Sequence, residues 1–239
     1  MSYNFGCACR ELGDFRRATH LLDRAHLQLL KYCTGDHYTV LTLQLRVEHA
    51  QAGLQMESAP GEAAKKLEGL LDRMGRICRS GHRAMAARCA LSLAEARRRH
   101  VAETEATSKM AIMAVNTAYG NAIPERRDLD ALPAQFDGPL ATALHGQGVF
   151  LVKYIGGEDC ETTAMECFRD ALLRANKAED YLTAARILRS QALVLSEFEQ
   201  VDKAIENFVT AHATLKENLG DNPRHTMIHP EPVYDDLSS

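Results

Sequence analysis

The most constraining feature of this 239-residue chain is a spaced set that recurs along it: an alanine, a larger side chain four positions on, and a second alanine three positions later. It reads Ala18, Leu22, Ala25, then Ala164, Phe168, Ala171, then Ala204, Phe208, Ala211. The looser sets Ala63, Leu67, Leu70 and Ala106, Met110, Met113 fit the same spacing, and successive first positions lie 45, 43, 58 and 40 residues apart. The longest interval holds the stretch NAIPERRDLDALPAQFDGP, with Pro124, Pro133 and Pro139, so the underlying unit is about 40–45 residues, or two long helices and two turns. A helix pair cannot bury both of its apolar stripes alone, so pairs stack and each covers its neighbour. Small residues let helix backbones approach, and the larger residue a turn along fills the gap. The expectation is an all-α fold, a helical-repeat superhelix (α-solenoid) of about five antiparallel helix pairs.

Apolar spacings of three and four place the helices. The first pair runs over about 2–11 and 15–33 around a Gly13-Asp14 turn, and the next helix, about 38–52, carries Val40, Leu43, Val47 and Ala50 on one stripe. A loop at Ser58–Gly61 precedes a helix using Ala63, Leu67, Leu70, Leu71, Met74 and Ile77, followed by helices over about 82–100 and 103–119. Residues 120–139 read as an insertion between repeats of one continuous array. Helices resume over about 140–154, 160–175, 181–198 and 201–219, and 220–239 reads as a flexible tail after a repeat domain spanning 1–219. The absence of Trp and an aromatic share of 6% argue against a sheet built on aromatic cross-strand pairs.

With the turn and alanine positions in place, the chain resembles the tetratricopeptide family. In the first unit that family's Leu-Gly pair looks like Phe5-Gly6, its aromatic is replaced by Cys9, its turn glycine is Gly13 and the following aromatic is Phe15. Ala18, Leu22 and Ala25 match its second helix, and Leu188, Ala192, Leu195, Val201, Ala204, Phe208 and Ala211 match in the last unit, where Glu199 replaces the turn glycine. The third unit aligns through Ala90, Leu93, Ala94 and Ala106, with Arg97 where an apolar residue is expected. Units longer than the usual 34 residues are similar to those of kinesin light chain. The resemblance implies that the first helix of each pair lines a concave surface that holds a partner's extended or helical segment. By register those residues include Tyr3 and Arg10, then Arg88, Glu95, Arg98 and Arg99, then Arg186 and Arg189. The six arginines there suit an acidic partner, because guanidinium pairs rigidly with carboxylate; the alternative is that they are solvated or pair with nearby carboxylates. The carboxylate clamp of some members needs Lys and Asn where Tyr3 and Cys7 stand, which disfavours a chaperone-tail role.

Charge supplies a rival. Ten Lys or Arg between Lys65 and Arg99 face only Glu68, Asp72 and Glu95, whereas from Glu158 onward 16 acids outnumber 8 bases. The basic 65–100 surface could follow a nucleic-acid backbone, against a pI of 6.2 and few aromatics for stacking. Seven cysteines, an odd number inside apolar helical patterns, point to free thiols in a reducing compartment, cytoplasmic or nuclear. No segment approaches a membrane span or a secretory leader, and the chain opens on a helix already under way, as a piece of a longer protein would.

Chemistry finds little footing. Cys7 and Cys9 diverge on a helix, and no second pair completes a metal set. Cys160 and Cys167 sit two turns apart, and His225 and His229 lie between Pro223 and Pro230. Gly6, Gly13 and Gly156-Gly157 lack the Gly-Lys-Ser/Thr of a phosphate loop. The expectation is no enzyme, cofactor or metal, and an adaptor that binds another protein; an enzyme would need a site assembled across repeats. Self-association is a further expectation, since an array without a polar cap exposes apolar surface.

Overall fold

The computed structural model describes residues 2–32, 38–77, 83–104, 108–123 and 133–219. Among them are ten α-helices and no strand: α1 (Ser2–Glu11), α2 (Phe15–Tyr32), α3 (Tyr38–Gln55), α4 (Pro60–Ile77), α5 (Arg83–Thr104), α6 (Lys109–Ala122), α7 (Asp137–Phe150), α8 (Glu158–Lys177), α9 (Tyr181–Glu197) and α10 (Val201–Leu219). They form two compact units, Met1–Thr104 and Glu105–Ser239. The helices pack mainly against their neighbours in sequence, the arrangement of a helical-repeat, α-solenoid fold. Of the expected insertion at 120–139, residues 124–132 lie outside the described residues, and the rest falls at the end of α6 and around the start of α7; the tail at 220–239 also lies outside them.

In the first unit α1 packs on α2 and α4 on α5, while α3 lies between α2 and α4 and touches α1 and α5. That position explains why α3 buries more than the stripe its spacing suggests. Val47 joins Ala25 and Leu29 on one side; Leu45 and Ala52, on the other, join Leu67, Leu70, Cys89 and Leu93. Glycine sets the closeness of α1 and α2: a Cβ on Gly6 would lie 2.8 Å from Leu22, which is fully buried. Arg97, set where an apolar residue was expected, reaches across to Glu68 of α4 at 2.7 Å.

The second unit repeats the device more tightly. A Cβ on Gly148 of α7 would lie 2.6 Å from the Phe168 ring of α8, so that glycine makes room for an aromatic. Ala164, Phe168 and Ala171 are all fully buried. The helix α7 starts three residues earlier than its spacing suggests, with Pro139 in its first turn, where a missing N–H breaks no helical bond. It closes in a π turn, Leu151–Ile155, whose first carbonyl, that of Leu151, accepts from the N–H of Gly156 at 3.0 Å, with Gly156 at positive φ (66°).

Three hairpin turns share one geometry. Gly13, Glu179 and Glu199 each take positive φ (77°, 55° and 59°). In each case the next residue's N–H bonds back to a carbonyl five residues earlier: Asp14 to Cys9, Asp180 to Ala175 and Gln200 to Leu195, all at 2.9 Å. Asp14 and Asp180 then cap the next helix through Oδ1, accepting from the N–H of Arg17 and Thr183 at 3.0 Å. Glu199 therefore keeps the glycine's turn rather than breaking the register.

Two expectations of the spacing fail. Met110 and Met113 are exposed, Met110 by 84%, and α6 instead buries Val115, Ala118, Tyr119 and Ala122, so the third set is not a packing set. Phe208 is 39% exposed although Ala204 and Ala211 are buried, because no later described helix covers the outer face of α10.

Candidate functional site

The site residues expected from sequence fall into three groups. The first lies where α1, α3 and α5 stand side by side. Tyr3, Cys7 and Arg10 follow one another along α1 at spacings of four and three, facing Arg46, His49 and Gly53 of α3. A Cβ on Gly53 would come within 2.8 Å of the Arg10 guanidinium, so the absence of a side chain there lets Arg10 lie against α3. Burial, then the Cys7 thiol, pushes the Tyr3 hydroxyl up, while the charges of Arg46 and Arg10 pull the other way. His49 is pressed down to about 4, first by burial and then by Arg10 and Arg88; a hydrogen bond to the Arg88 backbone opposes them. Its Nε2 shares a hydrogen bond of 3.0 Å with Ser92 Oγ of α5.

The second group is an ion cluster one turn further along α5. Glu95 is buried, and its carboxylate accepts from Arg98 Nε at 3.0 Å and Nη2 at 2.8 Å, and from Arg99 Nε at 2.9 Å. Arg99 also donates to Glu57 at 3.0 Å. Burial pushes the Glu95 carboxyl up, but Arg98 and then Arg99 outweigh it and hold it at about 2. Of the two readings of these arginines, the structure displays pairing with nearby carboxylates for Arg98 and Arg99. No described carboxylate lies within ion-pair distance of Arg10 or Arg46.

The third group, Arg186 and Arg189, lies on α9 of the second unit, Arg186 half-buried and Arg189 exposed. Beside them Ser190 Oγ and His145 Nε2 of α7 share a hydrogen bond of 2.8 Å, and the His145 ring rests against Phe168 with centroids 5.9 Å apart. This second His–Ser link, like that of His49 and Ser92, joins the first helices of successive hairpins. Neither was foreseen: the partners lie 43 and 45 residues apart, one repeat length, but pair unlike residues and so leave no self-similar signal.

Five of the ten basic residues in the stretch that suggested nucleic acid are paired with acids. Lys65 meets Glu62 at 2.8 Å, Arg73 meets Glu48 at 2.6 Å, and Arg97, Arg98 and Arg99 are paired as above. Lys66 donates to Gln51 at 3.0 Å, and Gln51 to Asp23 at 2.8 Å, tying α4, α3 and α2. Among the described residues no three His, Cys, Asp or Glu side chains come together as metal ligands, and no helix is long and apolar enough to cross a membrane. Cys89, pushed up to about 12 by burial, is poorly nucleophilic. No protein-family model, curated protein or solved structure matches the chain.

Proposed function

We propose that this chain is a protein-binding adaptor or regulatory subunit of the cytoplasm, acting by binding rather than catalysis. In this reading its hairpins follow the tetratricopeptide plan, and the face of first helices receives an extended or helical segment of a partner protein, acidic in character. One observation carries the reading: α1, α3 and α5 stand side by side, and Arg10 and Arg46 on that face have no described carboxylate partner. The Gly6–Leu22 and Gly148–Phe168 approaches and the shared turns support the tetratricopeptide plan, since they put a small first-helix residue against the large residue of each set. Against the nucleic-acid alternative weighs the internal pairing of Lys65, Arg73, Arg97, Arg98 and Arg99.

Affinity capture with the full chain tests this. The expected result is one protein retained in stoichiometric amount and lost when Arg10 and Arg46 are both changed to Glu. Capture that ignores the double change, or a salt-dependent mobility shift with RNA in place of a protein partner, would overturn it.

A further inference from the structure

The helix α10 carries an apolar face that the described residues leave open. Val201, Ile205, Phe208 and His212 follow one another at spacings of four, three and four, with Val209 beside them. That is the seam pattern of a helix that packs along another. Val201 is 54% exposed, Ile205 56% and Val209 62%. The preceding hairpin shows what such a face does. Ile205 and His212 stand 40 positions after Met165 and Leu172 of α8, in step with the sets that begin at Ala164 and Ala204. Met165 packs on Ala192 and Leu195 of α9 and on Ala204 of α10, and Leu172 packs on Ala185, Leu188 and Ala211. On α8 this face receives the next two helices, and on α10 the same face is bare among the described residues.

We propose that a second copy of this chain covers the face, with α10 of one copy antiparallel to α10 of the other across a two-fold axis near Val209. The charges select this occupant and its direction. Asp202, Val209 and Lys216 lie seven residues apart, in one row along the same edge of the face. Asp202 and Lys216 are exposed, and neither has a described ion partner. The two-fold axis sets Asp202 of each copy beside Lys216 of the other, one ion pair at either end of a shared apolar strip. A parallel pairing would set like charge beside like, so the face fits itself in the antiparallel sense alone. With 19 residues in α10, about 28 Å of helix per copy, the interface is small, below about 1,200 Å², and the dimer is weak and concentration-dependent. This inference is independent of the partner-binding reading, which concerns first helices, whereas α10 is the second helix of its hairpin.

Sedimentation equilibrium of the full chain, from about 1 to about 500 µM, tests this. The mass should rise from the 26.5 kDa of the monomer toward twice that value, with a dissociation constant on the order of 10–100 µM. Ile205→Glu should weaken association at least about 100-fold, and Met113→Glu, exposed on α6, should leave it unchanged. Asp202→Lys and Lys216→Glu should each weaken it about ten-fold, since each sets like charges together at both ends. Mixed one to one, these two chains regain opposite charges at both ends and should associate as tightly as the wild type. Positions 202, 205 and 216 are exposed, so each variant should melt at the wild-type temperature when dilute. Should Ile205→Glu fail to fold, the mixture decides by itself. A dimer indifferent to Ile205→Glu, or a mixture no tighter than its separate components, would overturn the proposal. So would a monomer at every concentration, the result expected if another part of the chain or a different protein holds the face.

Discussion

Both compact units join neighbouring first helices with a histidine–serine link, and they place that link in opposite surroundings. His145 and Ser190 lie against the Phe168 ring, while His49 and Ser92 lie beside Arg10 and Arg88. The ion clusters divide in the same way. In the second unit Asp137 and Arg174 meet at 2.8 Å with side chains only 6% and 4% exposed, sealed between the start of α7 and α8. In the first, Glu95 is shared by two arginines that still reach solvent. The second unit seals its ion pair in the core, and the first keeps its cluster within reach of solvent. The link is therefore architectural, and its neighbours are where function enters.

The largest test of that contrast is to break both ion clusters. Asp137→Ala should cost the second unit about 3–5 kcal/mol in urea unfolding, because Arg174 is left charged and buried. Replacing the pair together, Asp137→Leu with Arg174→Met, should recover most of the loss. Glu95→Gln should cost the first unit less, about 2 kcal/mol, because Arg99 keeps Glu57 and water.

The His49 link should make the first unit sensitive to acid. His49 titrates at about 4 when folded against 6.5 when unfolded, so the unfolded chain takes up its proton first as pH falls. Stability is then full above about 6.5 and lost progressively toward 4, by roughly 3 kcal/mol in all. His49→Gln should flatten that slope. The Glu95 contribution, held at about 2 against 4.5, is present above 4.5 and lost only below it, so the two windows separate in a pH series of unfolding midpoints.

Smaller effects come from the hairpins. Gly148→Ala drives a methyl into a buried ring and should cost about 2–3 kcal/mol, whereas Gly6→Ala meets the more yielding Leu22 and should cost about 1 kcal/mol. Glu199→Gly should raise stability by about 0.5–1 kcal/mol by relieving a left-handed glutamate, and Gly13→Glu should cost a similar amount. Thermal melts read both comparisons.

The local parts of this architecture were legible in the sequence. Nine of the ten helices were placed within about three residues at their starts, because three-and-four spacing and Gly-Asp turns are local signals. The spacing could not reveal which side of a helix is covered. Met110 and Met113 fit the same pattern as Leu67 and Leu70, yet one pair faces solvent and the other the core, a difference only tertiary neighbours decide. Asp137 read as part of a proline-rich loop, although it begins α7 and pairs with a residue 37 positions away. Of the expected surface residues, Tyr3, Arg10 and Arg88 do come together, but Arg46, His49 and Gly53 complete that group and were missed, since their helix was read for its apolar stripe alone.

The most direct test places a photo-reactive amino acid at position 7, between Tyr3 and Arg10 on α1, and in a second chain at position 72, exposed on α4. Irradiation in cell extract should join one protein to the chain carrying it at position 7 and none to the other. Equal cross-linking from both positions, or from position 72 alone, would contradict a partner seated on the face of first helices.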